Sequence, residues 1–540
     1  MLKKSSTRLE NGRIQRTIGN MNKHDVAAKL LQTLDLGSSI AEQDTLLEKA
    51  RVETSAFTDL LHDKADLIPG TKGSGKSALF KIFADFLPTF LLKERKVVIA
   101  HGVQKHGDVV FHAFKDQFEK LSEDDFVSFW CIYLTSLAHE QFIKGDLYQP
   151  YLKNTSTEID LFRRACMKAR IPEIKAKKSL KEILQWTLQV LRVWKPQLRY
   201  KFPEETGAGE VELDLFGKAI QPKLGKISPE GDDIPHFVAD IKDTLEAVLK
   251  KADLAIWLMI DRLDEIFPRR SALETRALRG LLGSTRLFTT DTIRIKIFLR
   301  DDMLEQVVST EVGFTALTHL TARQADTLRW SEEQILTMLV KRLFADGNLQ
   351  DYYKIDKKKL ESSQNYRQEC FYKVFPSTVH GGTRQSSTLR WMYNHTMDGR
   401  GVVTPRDVLD LVTKAKQNQQ DSFNASPNSE SPWLIGPQAM LYGLEELSKR
   451  KKETYLRAEF PHLWPDIEKF QGGKSEYSAE ALQVLFGKHW EKSCSDLISI
   501  GLLRKQKNTY WIPHLYRKGL DITQGSALSD TTGFTIQIRP

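Results

Sequence analysis

The run Gly70-Thr71-Lys72-Gly73-Ser74-Gly75-Lys76-Ser77 limits what this chain can fold into more than any other stretch of it does. It fits G-x-x-x-x-G-K-[ST], follows a short apolar stretch at residues 65–68 and opens an apolar helical run at 77–87. Strand, glycine-rich turn and helix in that order wrap successive backbone N–H groups around a phosphate at the positive end of the helix. Gly70, Thr71, Lys72, Gly73, Ser74, Gly75, Lys76, Ser77 and Ala78 are therefore the expected nucleotide-binding residues. In that arrangement Lys76 reaches the outer phosphate oxygens and Ser77 coordinates Mg2+.

A loop of this kind needs an acidic partner at the end of another strand, and the apolar run 254–260 ends in Asp261, the second expected metal ligand. About one turn further, Asp264 and Glu265 are both candidates for orienting or deprotonating the attacking water, and the sequence leaves the choice open. The strand at 293–299 ends in Arg300, placed to read the terminal phosphate. Arg406, at the start of a helix signalled by Thr404 and Pro405, is a second sensor candidate. Lys76, Asp264, Glu265 and Arg300 thus form the expected catalytic set. Arg269, Arg270, Arg276, Arg279 and Arg286 are candidate fingers toward a neighbouring subunit. His101, His106 and His112 match no ligand spacing, and no second enzyme motif stands out.

Strands near 65–68, 96–100, 254–260 and 293–299 alternate with helical spacing, so the fold class is α/β with a parallel sheet core. At 540 residues, 41% hydrophobic and 28% charged, the chain has material for several cores. Its expected organisation is a basic flexible tail at 1–25, a phosphate-loop core at 26–310 with a helical insertion at about 145–250, a helical lid at 311–416, a polar linker at 417–435, a winged-helix-like domain at 436–520 and a C-terminal tail at 521–540. Ser331 with Gln334 reads as a capping box opening a lid helix. The stretch 199–235 receives no assignment beyond a partner-binding element. In the last domain two helices and a hairpin carry Lys488, His489, Lys492, Arg504, Lys505 and Lys507, a basic face for double-stranded DNA or simply for a protein.

The basic N-terminus has no apolar run behind it, and the longest apolar stretch is far short of the roughly 20 residues that span a bilayer. The four cysteines show no C-x-x-C spacing, which fits a reducing compartment. A cytoplasmic protein without membrane contact is expected. The net charge of +9 is spread along the chain and locates no single surface.

Leu36-Gly37-Ser38 with Ala41-Glu42, the loop through Ala78, Ile260-Asp261-Arg262-Leu263-Asp264-Glu265, Ile297-Phe298-Leu299-Arg300-Asp301, Leu328-Arg329-Trp330 and Thr404-Pro405-Arg406-Asp407 follow one another in an informative order. Together they resemble a family of bacterial P-loop ATPases in the AAA+, STAND and KAP-like group, common among antiphage defence genes. The resemblance implies ATP with Mg2+, an ATPase core, a helical lid and a C-terminal winged helix, with Arg300 and Arg406 at sensor positions. It also implies a homo-oligomer that switches conformation or assembly and regulates an effector encoded elsewhere, a nuclease or another toxic enzyme. A DNA-loading or DNA-remodelling ATPase is the rival expectation. Arg262 stands where that pattern usually carries a glutamate, so hydrolysis is expected to be slow.

Overall fold

The computed structural model describes residues 23–102, 118–119, 121–169, 233–265, 271–308, 321–381, 385–425 and 431–527. Residues 170–232 of the expected helical insertion, Arg269, Arg270, His106 and His112 lie outside them, as do residues 1–22 and 528–540 of the expected tails. Packing divides the chain into two compact units: one comprises Ser55–Thr71 and Lys76–Leu328, the other Met1–Thr54, Lys72–Gly75 and Arg329–Pro540. The segment before Ser55 thus clusters with the later helices, whereas the sequence reading grouped everything from residue 26 with the sheet.

The first unit is built on strands β1 (Leu67–Gly70), β2 (Val97–Gly102), β3 (Ala255–Ile260) and β4 (Ile293–Arg300), ordered β1-β4-β3-β2 and all parallel. β3 is a continuous apolar run buried beyond its first residue, whereas β4 is buried at every position except Arg294 although it carries Arg294, Lys296 and Arg300. Beyond β1, the segment 323–328 runs along its free edge, with Ala325 N donating to Leu67 O and Leu328 N to Pro69 O. The helix Glu123–Ala138 starts at a capping box formed by Ser122 and Asp125 and continues as a π-helical turn, His139–Ile143. It packs against the helix Ala272–Phe288, where Trp130 Nε1 donates to Ala277 O at 2.9 Å. The approach is close enough that a Cβ on Gly280 would lie 2.4 Å from Phe126 Cβ. Away from the loop end, fully buried Lys296 bonds Asp63, Ala65 O and Asp66, with Arg323 closing the cluster.

In the second unit, Leu30, Leu31 and Leu34 of the N-terminal segment share one apolar core with residues reaching Ile522. The helix Glu332–Leu343 opens on the capping box of Ser331 and Gln334. The helix Pro405–Ala425 opens on Thr404, whose Oγ1 accepts from Asp407 N at 3.1 Å. That helix runs through the first half of the expected linker at 417–435, for a reason visible in register. Ala415, Gln419 and Phe423 repeat every four residues and are all buried, and Gln419 Oε1 accepts from Gly436 N at 2.8 Å. A second sheet, β6 (Arg504–Gln506), β7 (Thr509–Trp511), β5 (Lys474–Ser478) and β8 (Thr523–Ala527) in that order, packs with the helices Ala479–Phe486 and Trp490–Ser499. β6 and β7 form a hairpin, and β8, which the sequence reading left in the C-terminal tail, lies parallel to β5. Among the described residues no helix is long and apolar enough to cross a membrane.

Candidate functional site

The register of the first sheet decides which chain ends meet. Gly70 pairs with Arg300 across β1 and β4, and Ile260, the last residue of β3, pairs with Ile297. The first residue of the glycine loop, Arg300 and Asp261 therefore emerge at one edge of three adjacent parallel strands, the usual place for a ligand in an open sheet. After Gly70 the loop turns through Gly73 and Gly75 at φ of +84° and +102°, which side-chain-bearing residues rarely adopt, and enters the helix Lys76–Lys81.

Lys76 is buried, and its ammonium folds back on the loop, donating to Gly70 O at 2.7 Å and Thr71 O at 2.8 Å. Burial lowers its pKa to about 8, against the opposing pull of Asp261 and Asp264. Ser77 donates its hydroxyl to Asp261, which is 3% exposed. Burial pushes that carboxyl up to about 6, although the Ser77 bond, the Arg262 N–H and Lys76 act the other way. Arg262 itself holds φ at +60°, a strained backbone for an arginine, in the turn between Asp261 and the short 3-10 segment Leu263–Glu265. Asp264 meets Arg300 Nη1 at 3.4 Å; the side chain of Glu265 lies outside the described residues. Arg300 also donates Nε and Nη2 to the two oxygens of Asp302 at 2.9 and 2.7 Å.

Two buried hydroxyls of the loop, Thr71 Oγ1 and Ser74 Oγ, have no hydrogen-bond partner. Orphaned donors in a glycine loop suit an anionic ligand that supplies the missing acceptors. For a metal the protein offers two hard oxygens, Ser77 Oγ and the Asp261 carboxylate, which fits a small divalent cation whose other ligands are phosphate and water. No group of three or more His, Cys, Asp or Glu able to hold a metal occurs among the described residues.

Within the second unit, the loop tip Lys72–Gly75 has its own neighbours. Lys72 pairs with Glu459, and Trp330 Nε1 donates to Ser74 O at 2.7 Å. A Cβ on Gly73 would lie 3.3 Å from Thr404 Oγ1 and 3.4 Å from Arg406 Cβ. Arg406 is half-buried, with Nε 3.4 Å from Ser39 O. Of the finger candidates, Arg279 pairs with Glu123 and Arg276 donates to Glu119 O, while Arg286 is exposed.

Asp302, Trp330 and Glu459 acquire contacts that the sequence did not assign to them. Asp302 carried a usable signal, since a carboxylate two residues beyond a strand-terminal arginine can reach back to it. Glu459 carried none, because its partner lies 387 positions away.

No family model matches the chain, and no curated protein does. Among solved structures it is similar to a Walker-type ATPase of Pyrococcus abyssi at 11% identity, covering 90% of this chain and 98% of that one. The TM-score is 0.35, a correspondence too loose to carry an inference about this chain.

Proposed function

We propose that this chain is a P-loop nucleoside triphosphatase that binds Mg·ATP at residues 70–78 and hydrolyses it to switch its conformation or assembly, thereby regulating a separate effector. One observation carries the first half: Ser77 at the head of the loop helix bonds the buried Asp261 at the end of β3, with buried Lys76 beside them. A hydroxyl and a carboxylate held together next to a phosphate-binding lysine are the pair that shares a Mg2+. In hydrolysis the loop N–H groups and Lys76 hold the phosphates, and Arg300 offers positive charge where the terminal phosphoryl group becomes more anionic. Asp264 is the reachable carboxylate for positioning water. When bound, a divalent cation held by Ser77 and Asp261 would supply charge neutralisation to the phosphates.

The second half rests on the motif resemblance, which also carries the antiphage setting. The DNA-acting alternative is favoured by one feature: Arg504, Lys505 and Gln506 of β6 are all exposed, with Lys507 in the turn beyond them. Two helices before a basic hairpin suit a winged helix.

The deciding experiment is nucleotide turnover by the full chain, with ATP and GTP as separate substrates, for wild type, Lys76→Ala and Asp261→Asn, with and without double-stranded DNA. Turnover that needs Mg2+ and disappears in both variants is expected. A rate untouched by Lys76→Ala would overturn the reading, and a several-fold, salt-sensitive stimulation by DNA that Lys505→Ala with Lys507→Ala removes would favour the alternative.

A further inference from the structure

Arg300 sits at the end of the strand between the loop strand and the Asp261 strand, paired directly with Gly70. Its side chain is 9% exposed, and one edge of its guanidinium is taken by a fork: Nε and Nη2 lie on the two oxygens of Asp302. The opposite nitrogen, Nη1, points to Asp264 at the long distance of 3.4 Å. A forked carboxylate fixes the plane of a guanidinium as well as its position, which a single ion pair does not. Asp302 is itself held at the start of the helix Asp301–Val308, where its backbone N–H donates to Asp301 Oδ1 at 3.1 Å and its Oδ1 also accepts from Met303 N at 3.1 Å.

We infer that Asp302 is a positioning residue for the hydrolytic step: by forking Arg300 it keeps the arginine from closing onto Asp264 as a two-point pair. Arg300 and Asp264 compete for each other only if the arginine is free to rotate. Fully paired, Asp264 would lose the lone pairs that orient water, and Arg300 would turn its charge away from the phosphate. The fork holds the guanidinium so that Arg300 meets Asp264 through one long contact in place of two, which leaves Asp264 lone pairs able to orient water. This rests on the hydrolysis reading above and adds a residue that reading does not require.

The test uses the full chain and two readouts, one independent of turnover. In protein labelled with 15N-arginine, the Nε–H signal assigned by Arg300→Lys is expected to be protected from solvent exchange in wild type and in Asp264→Ala, and to lose protection in Asp302→Ala. In steady-state assays Asp302→Ala is expected to lower kcat by about 100-fold with KM changed less than about three-fold, the pattern of a contact made only in the transition state. Arg300→Ala with Asp302→Ala should be no slower than Arg300→Ala alone, because the second residue acts only through the first. Asp302→Glu should restore part of both the protection and the rate. Protection that survives Asp302→Ala overturns the inference whatever the turnover. Lost protection with an unchanged, Lys76-dependent rate overturns it as well, as do losses that add in the double variant. Turnover that ignores Lys76→Ala counts instead against the hydrolysis reading, and the exchange result alone then decides the fork.

Discussion

At the residue scale the loop holds two buried hydroxyls whose missing partners a bound anion would supply. A buried hydroxyl without a partner costs about 1–3 kcal/mol, and Thr71 and Ser74 each carry one. Thr71→Val and Ser74→Ala keep the shape and remove the orphan. Each should therefore stabilise the ligand-free protein by about 1 kcal/mol while weakening nucleotide affinity, two opposite shifts read by denaturant melting and by equilibrium binding. Loss of stability on either substitution would mean that the hydroxyl is already bonded without ligand. The fork on Arg300 is a different kind of arrangement, since it constrains direction and leaves no orphan.

Among elements, the close crossing of Glu123–Ala138 and Ala272–Phe288 allows no side chain at Gly280. Alanine there would put Cβ 2.9 Å from Phe126 C and 3.0 Å from Val127 N, both backbone atoms, so Gly280→Ala should destabilise its unit by about 1–3 kcal/mol in a denaturant melt. The Lys296 cluster predicts a larger loss. Lys296→Ala leaves Asp63 and Asp66 without their central cation, and removal of one partner from a buried ion group costs about 3–5 kcal/mol. Added salt should change that melt only in part, since Lys296 is fully buried while Asp63 and Arg323 are partly exposed. These elements also mark how far the sequence could be read. The loop, β3 into Asp261 and the capping box of Ser331 and Gln334 were legible because each is set by residues adjacent in sequence. The helix through Ala425 was hidden because its glutamines and asparagines look like linker composition, and only the four-residue spacing of Ala415, Gln419 and Phe423 betrays the buried stripe. β8 was hidden because its pairing partner, β5, supplies the reason for its extended shape from about 50 residues away.

For the molecule as a whole, the two units should respond differently to acid. In the second unit the rings of His395 and His514 lie 4.1 Å apart, with Trp391 stacked on His395. Burial lowers His395 to about 4, opposed by its bond to the Trp391 carbonyl and reinforced by His380 and Arg517. Burial, then His395 and Arg517, lowers His514 to about 3. Folded pKa values below the ordinary 6.5 mean that the unfolded chain takes up the protons first. Stability from this pair is thus complete above about pH 6.5 and lost as pH falls toward 4, at most about 1.4 kcal/mol per pH unit for each proton. Denaturant melts from pH 7 to 5, followed by hydrogen exchange, should place this loss in residues 329–527, and His514→Gln should flatten it. A slope unchanged by that substitution would assign the acid sensitivity elsewhere.

Leu30 and Leu31 share their core with Ile335, Leu339 and later residues, with the whole of Ser55–Thr71 and Lys76–Leu328 lying between them in the chain. Sequence separation of about 300 residues makes this a late contact in folding. A ribosome adding about 5–20 residues per second leaves those leucines unburied for about 15–60 s, while the sheet unit emerges and can close on its own core. The nascent protein therefore spends that interval with an unsatisfied apolar leader while the first unit is still being made, a natural recruitment point for chaperones.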